Sequence, residues 1–229
     1  MDTEFRLTID YMQFIEKVKA NRGKYIKVDD GSYYHGNLNA FQILQEQKGI
    51  LSMKKRGLEH PYAVTGGNHY ISPTKKSNSS YAYKFFIKNG GWDHDGFSFI
   101  IDKNIKAIKT IKAEVNFFFS FVNKTRIPIR FSRYSDEYHI RDEIKPESFT
   151  AIQYYLLEHL DYHLSRSFRP ETKIITMLCE IRKMIDLMEK LQIDIPFIDG
   201  TDSTEINKDI FKQFLLEKAP NKDLQTHAI

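Results

Sequence analysis

Residues 135–140, with the sequence SDEYHI, decide how the rest of the chain is interpreted. Glu137 opens a run in which apolar Tyr138 and Ile140 alternate with polar His139. A period of two is typical of a strand with one buried face. The pattern therefore predicts a strand that begins with a carboxylate, and Glu137 is the first candidate for a functional group.

A second strand-like run, FTAIQYY at residues 149–155, follows a predicted turn at residues 144–149. Two strand-like runs joined by a short turn are typical of a β-hairpin. We expect Glu137 at the mouth of this hairpin, where a carboxylate can meet a cationic group in a cleft.

The composition is that of a globular protein. The chain has 229 residues, 41% of them hydrophobic, with 17 Phe and 13 Tyr, which is enough for a core. No apolar run reaches the roughly 18 residues that span a bilayer, and the first residues form no apolar signal segment. The single cysteine, Cys179, excludes an internal disulfide and a cysteine-based zinc site. We therefore expect a cytoplasmic protein without a membrane partner.

The charge is only mildly basic. With 34 basic and 30 acidic residues the net charge is +4, too small to indicate a nucleic-acid-binding protein. Basic residues cluster at residues 54–56 and at Lys75 and Lys76. Such runs are usually solvated faces, and the alternative is a rim that attracts a phosphate-bearing ligand.

The pattern of elements changes along the chain from mixed to helical. Predicted helices lie at residues 8–20, 41–49 and 79–87, and predicted strands at 25–28, 32–36, 96–101 and 126–131, while the apolar run 115–122 fits either. Beyond about residue 156, a long helix after Pro170 carries an apolar stripe on which Cys179 lies beside the core, and a short helix covers residues 204–218.

Two histidine-containing groups have the spacing of metal ligands but lack further partners. Residues 93–95 (DHD) lie in a glycine-rich turn and predict a polar loop. His159 and His163 are four residues apart on a helix, without the glutamate of a zinc-binding motif, and predict a helix surface. The sequence predicts no metal site.

Three short segments form an ordered set. They are YHG at residues 34–36, HYIS at 69–72 followed by SNSSYAY at 77–83, and EYHI at 137–140. In this order the set resembles the ADP-ribosyltransferase superfamily, most closely its diphtheria-toxin and poly-ADP-ribose-polymerase branch. The resemblance implies a mixed α+β fold, with a split antiparallel β-sheet core and flanking helices. The catalytic domain would be residues 1–155, and a helical C-terminal extension, residues 156–229, would pack on it.

The resemblance also implies that NAD is the substrate. Glu137 would stabilise the oxocarbenium-like transition state of nicotinamide–ribose cleavage and accept a hydrogen bond from the ribose 2′-hydroxyl. His35 would hold a ribose hydroxyl, and the main chain of Gly36 would approach the nicotinamide amide because no Cβ intervenes.

Aromatic residues of the middle segment would complete the NAD site. Tyr70 would stack on the nicotinamide ring together with Tyr81 or Tyr83, and the spacing does not decide between these two. Ser72 and Ser80 belong to the same predicted binding set.

The chain departs from the family pattern at two places. Ile71 and Ser72 replace Phe-Ala, and Ser135 stands where arginine-modifying toxins often carry Glu or Gln. The segment EYHI also resembles bacterial arginine ADP-riboxanase effectors, in which the histidine two residues after the glutamate contributes to acceptor chemistry. This makes His139 a candidate catalytic group, on the same strand face as Glu137.

The implied function is transfer of ADP-ribose from NAD to a protein side chain, in a bacterial effector or toxin delivered into a host cell without a classical signal peptide. A catalytically inactive NAD- or partner-binding module of the same fold is one alternative, and a single-stranded nucleic-acid binder using basic residues and aromatics is another. An RNA 2′-phosphotransferase shares the fold and NAD, but the late glutamate argues against it. Each site residue also has an ordinary structural interpretation, as a solvated carboxylate, a half-buried histidine or a core aromatic.

Overall fold

A computed structural model of the chain describes residues 5–7, 10–36, 40–57, 70–75, 96–112, 131–132, 137–167, 170–212 and 216–218. The strands are β1 (Phe5–Leu7), β2 (Tyr33–Gly36), β3 (Ile50–Leu51), β4 (Tyr70–Ile71), β5 (Ser98–Ile101), β6 (Ile108–Lys109), β7 (Ile111–Lys112), β8 (Phe131–Ser132), β9 (Tyr138–Arg141), β10 (Glu143–Ile144), β11 (Phe149–Tyr154), β12 (Phe197–Asp199), β13 (Thr204–Glu205) and β14 (Leu216–Lys218). The helices are α1 (Tyr11–Ala20), α2 (Ala40–Glu46), α3 (Leu156–Arg166), α4 (Pro170–Lys190) and α5 (Lys208–Lys212).

The largest sheet has the strand order β13-β12-β11-β5-β2 and is antiparallel except for the parallel pair β11-β12. Every residue of β5 is buried, as expected of a central apolar strand covered on both faces. The predicted mixed α+β class with a mostly antiparallel sheet is therefore confirmed.

A second group of strands contains Glu137's neighbours. β9 lies between β4 and β6, and both pairs are antiparallel. The predicted hairpin between residues 137–140 and 149–155 is wrong, because β11 pairs with β5 and β12 instead. Asp142, at φ 64°, turns the chain after β9 so that β10 pairs with β3 before the chain enters the main sheet.

Helix α4 packs against α1, α2, α3 and α5 and shares one buried apolar cluster with residues of β5, β11 and β12. Pro170 occupies its first position, where the missing N–H costs nothing. Its apolar stripe is buried, as the spacing predicts, and comprises Ile174, Met177, Leu178, Ile181, Met184, Ile185, Leu187 and Met188. Cys179 is half-buried beside this stripe, and burial raises the pKa of its thiol.

Residues on both sides of the predicted boundary at 155 share one buried apolar cluster. The predicted helical extension, residues 156–229, also contains β12 and β13, which extend the main sheet. The carboxylate of Asp199, at the end of β12, accepts hydrogen bonds from the main-chain N–H groups of Leu156 (3.0 Å) and Leu157 (3.1 Å) at the start of α3. Arg22 pairs with the same carboxylate at 2.8 Å.

Other predicted elements differ in detail. Residues 25–28 form no strand, and Tyr25 makes a single β-bridge to Thr204. The predicted helix at residues 204–218 is instead β13, α5 and β14. The predicted helix at 79–87, the apolar run 115–122 and most of the predicted strand at 126–131 lie outside the described residues. No helix among the described residues is long and apolar enough to cross a membrane.

Candidate functional site

Thr74 joins the main sheet to the strand group that holds Glu137. It forms one β-bridge to Tyr34 of β2 and another to Glu137, which precedes β9. The Tyr34 N–H donates to the Thr74 carbonyl at 2.8 Å, and the Thr74 N–H donates back at 3.0 Å. The predicted segments around residues 34–36, 69–72 and 137–140 therefore lie side by side.

The pairing of β4 with β9 continues in one register to Thr74. Tyr70 lies opposite Arg141 and Ile71 opposite Ile140, and the same register places Thr74 opposite Glu137. Thr74 and Glu137 do not exchange main-chain hydrogen bonds with each other, since the adjacent Tyr138 N–H donates instead to the Pro73 carbonyl at 2.9 Å. In such non-hydrogen-bonded antiparallel pairs the side chains stand closest together.

One face of the sheet carries a row of side chains that ends at Glu137 and Thr110. Cross-strand pairing places Ile100, Tyr34, Thr74 and Glu137 in this row, and Thr110 follows because its N–H and hydroxyl both donate to the Glu137 carbonyl. Glu137 is 8% exposed and therefore largely screened from water. The effective dielectric constant is lower at such a site than in water, and electrostatic interactions there are stronger.

His35 lies on β2, next to Tyr34 and opposite Phe99. Burial lowers the pKa of His35 to about 4, partly offset by a hydrogen bond to the main chain of Ser72, so the ring is neutral at pH 7. Residues 35–36 and 70–73 are all described, and β2 pairs with this segment only at Thr74. The strands therefore diverge beyond that pair, and the His35 ring spans the gap to Ser72.

The remaining predicted NAD-site residues are only partly described. Gly36 is buried at the end of β2, opposite Ser98, and Ser72 is partly buried. The main chain of Tyr70 pairs with Arg141. Ser80, Tyr81 and Tyr83 lie outside the described residues, so the choice between the two tyrosines stays open.

His139 is buried on the strand that follows Glu137. The alternation of a regular strand places both side chains on one face, and His139 lies opposite Ile108 of β6. His139 is only 1% exposed, so of the two groups Glu137 is the more accessible to a ligand. A role for His139 in acceptor chemistry stays a prediction.

Lys75 is only partly exposed, unlike a residue of a solvated face, and Lys76 lies outside the described residues. Its Nζ lies 3.3 Å from the ring centroid of Tyr33 and 5.6 Å from that of Tyr138, and the two rings pack edge to face at 5.2 Å. Desolvation lowers the pKa of Lys75. This cation–π contact holds together β2 and β9 on the face opposite Glu137. Residues 54–56 are exposed, as the solvated-face interpretation predicts.

The two helical histidines differ from the predicted helix surface. His159 is 2% exposed and packs edge to face on Tyr154 at 4.9 Å, and burial lowers its pKa to about 3. His163 is half-buried, and its Nδ1 lies 2.8 Å from the Ser167 hydroxyl. No group of three metal-ligating side chains occurs in the described part of the chain, and residues 93–95 lie outside it.

Sequence reasoning missed Thr74 and Thr110. Their side chains are buried, yet a threonine in a strand carries no signal of its function. Thr74 follows Pro73, whose missing N–H leaves one bond out of the pairing with β9 beyond the end of β4.

Comparison of the chain with models of protein families, with curated proteins and with solved structures finds no match.

Proposed function

We propose that the protein is an NAD-dependent ADP-ribosyltransferase that transfers ADP-ribose to a protein side chain. The observation that supports this proposal best is the pair of bridges at Thr74. They bring together three segments that are far apart in the sequence and that resemble, in order, the NAD-site elements of this superfamily. In this proposal the divergence of β2 from residues 70–73 is the split of the family's sheet.

Three described residues carry groups that the proposed NAD site would need. One nitrogen of the neutral His35 ring donates to the Ser72 main chain, so the other is an acceptor suited to a ribose hydroxyl. Gly36 has no Cβ to keep an amide group away from its main chain. Glu137 supplies a carboxylate. The main-chain carbonyl of Glu137 accepts a hydrogen bond from Thr110, which holds this part of the strand in place.

The negative charge of the Glu137 carboxylate suits the positive charge that develops in the reaction. As the bond between nicotinamide and ribose breaks, nicotinamide leaves with the electron pair and positive charge grows on the ribose. A fixed carboxylate in a poorly solvated site stabilises that charge more in the transition state than in the ground state. The acceptor side chain then bonds to the ribose carbon and gives up its proton.

The proposed acceptor is a protein side chain, and the proposed setting is a bacterial effector or toxin acting in a host cell. Both follow from the resemblance. Ser135, where related toxins carry an acceptor-positioning residue, lies outside the described residues.

Release of nicotinamide from NAD tests the proposal. Glu137→Gln keeps the size of the side chain but removes its charge, and we expect the rate to fall about 100-fold or more, the size of effect seen when one charge-stabilising group is removed. Glu147→Gln is the matched control, because Glu147 is exposed on the 3₁₀ turn at Pro146–Ser148, and it should keep the wild-type rate. Equal rates for wild type and Glu137→Gln would contradict the assignment of Glu137.

The same samples separate the alternatives. Saturable NAD binding by calorimetry without nicotinamide release indicates an inactive binding module. Binding of single-stranded RNA or DNA that weakens steeply with salt, without NAD dependence, indicates a nucleic-acid binder.

A further inference from the structure

We infer that Thr110 is a positioning residue for Glu137. Its hydroxyl fixes the main chain from which the carboxylate projects, without touching the reacting atoms. This inference rests on the proposed function, since it concerns the rate of the reaction that Glu137 would support.

Thr110 makes two hydrogen bonds to one atom. Its hydroxyl donates to the Glu137 carbonyl at 2.7 Å, and its N–H donates to the same oxygen at 3.2 Å. Thr110 is buried, so water does not compete for either bond. The residue lies between β6 and β7, and its N–H bond continues the β6–β9 ladder by one step.

On the opposite side of Glu137, the register of β4 and β9 continues through Pro73. There, Tyr138 donates to the Pro73 carbonyl, but Pro73 has no N–H with which to return the bond. The ladder between β4 and β9 therefore loses one bond beside Glu137. On the other edge of β9, the Thr110 hydroxyl adds a second bond to the Glu137 carbonyl, and the branched Cβ of threonine restricts the hydroxyl to few rotamers.

The position of the Glu137 carboxylate depends on this main chain. In a strand, the direction of a side chain follows from the orientation of its own peptide unit. A displacement of about 1 Å in a reacting group can cost on the order of 100-fold in rate. Loss of the bond from the Thr110 hydroxyl should therefore lower the rate of the chemical step without weakening the binding of NAD.

Three variants test the inference through steady-state nicotinamide release. Thr110→Val removes the hydroxyl and keeps the branched shape, and we expect kcat to fall about 10-fold with KM within twofold of wild type. Thr110→Ser restores the hydroxyl and should recover most of kcat. Thr150→Val is the matched control, because Thr150 is an exposed strand residue whose hydroxyl also donates to a carbonyl on the neighbouring strand, at 3.3 Å from Ile100. It should behave as wild type.

Failure of the inference and failure of the proposed function would give different experimental results. If Glu137→Gln loses activity but Thr110→Val keeps the wild-type kcat, or if Thr110→Ser loses as much as Thr110→Val, the inference is wrong and the proposed function stands. Thr110→Ala provides a second hydroxyl-free variant if Thr110→Val does not fold.

One measurement tests the inference without NAD, and it applies even if the wild-type protein releases no nicotinamide. Amide hydrogen exchange of Thr110→Val should accelerate about 10-fold at Thr110 and Tyr138, with no change along α4. Unchanged exchange at those two amides would show that the hydroxyl does not hold the main chain of Glu137.

Discussion

At the scale of single residues, desolvation keeps His35 and His159 neutral at pH 7. His35 and His159 have pKa values of about 4 and about 3, both below the ordinary value of 6.5, because burial disfavours the charged ring. The sequence identified His35 as a site residue by its neighbours but could not show that it is neutral. It placed His159 on a helix surface, because a spacing of four residues does not reveal which face of the helix is covered.

The lowered pKa values of partly exposed His35 and buried His159 predict how stability depends on pH. Their pKa values are lower in the folded state, so between pH 6.5 and about 4 the unfolded chain binds more protons, and the free energy of unfolding falls as the pH is lowered. Each histidine contributes a slope of at most about 1.4 kcal/mol per pH unit within this window and none above it. Urea denaturation at several pH values should show a shallower slope for His159→Leu than for wild type. Parallel slopes would contradict the neutral, buried His159.

At the scale of elements, the apolar pattern predicted which segments become β2, β5, β9, β11 and α4, but not their partners. The pairing of β9 with β4 and β6, rather than with β11, depends on the turn at Asp142, and its positive φ has no clear signal in the sequence. β12 escaped prediction because its three residues are too few to show a period. Its last residue, Asp199, nevertheless anchors the start of α3.

The contacts of Asp199 predict that its substitution by alanine lowers the free energy of unfolding. Asp199→Ala removes the acceptor for two N–H groups of α3, while Arg22 keeps its 2.8 Å ion pair with Asp202. Because a buried donor left without an acceptor costs about 1–3 kcal/mol, we expect a loss of about 3 kcal/mol in the free energy of unfolding. Asp186→Ala, which removes an exposed ion pair with Arg182 on α4, is the control and should cost about 0.5 kcal/mol or less. Urea denaturation measures both. Similar losses for the two variants would show that the Asp199 contacts contribute little.

At the scale of the whole molecule, the fold brings together segments that no local pattern connects. Residues 34–36, 69–72 and 137–140 meet through Thr74, and their adjacency depends on the register of three strands. The order of the segments in the sequence suggested a common site, because it resembles that of a known superfamily. The alternation of apolar and polar residues alone predicts strands in these segments but does not predict contacts between them. The predicted extension after residue 155 shares one apolar cluster with the residues that precede it.

Transfer of ADP-ribose to protein tests the proposed site most directly. Cell lysate incubated with isotopically labelled NAD and the wild-type protein should yield, by mass spectrometry, a protein that carries the labelled ADP-ribosyl mass. The same lysate with Glu137→Gln should yield none, and Glu147→Gln should match the wild type. Absence of any labelled protein with the wild type, or equal labelling with Glu137→Gln, would contradict a transferase whose carboxylate is Glu137.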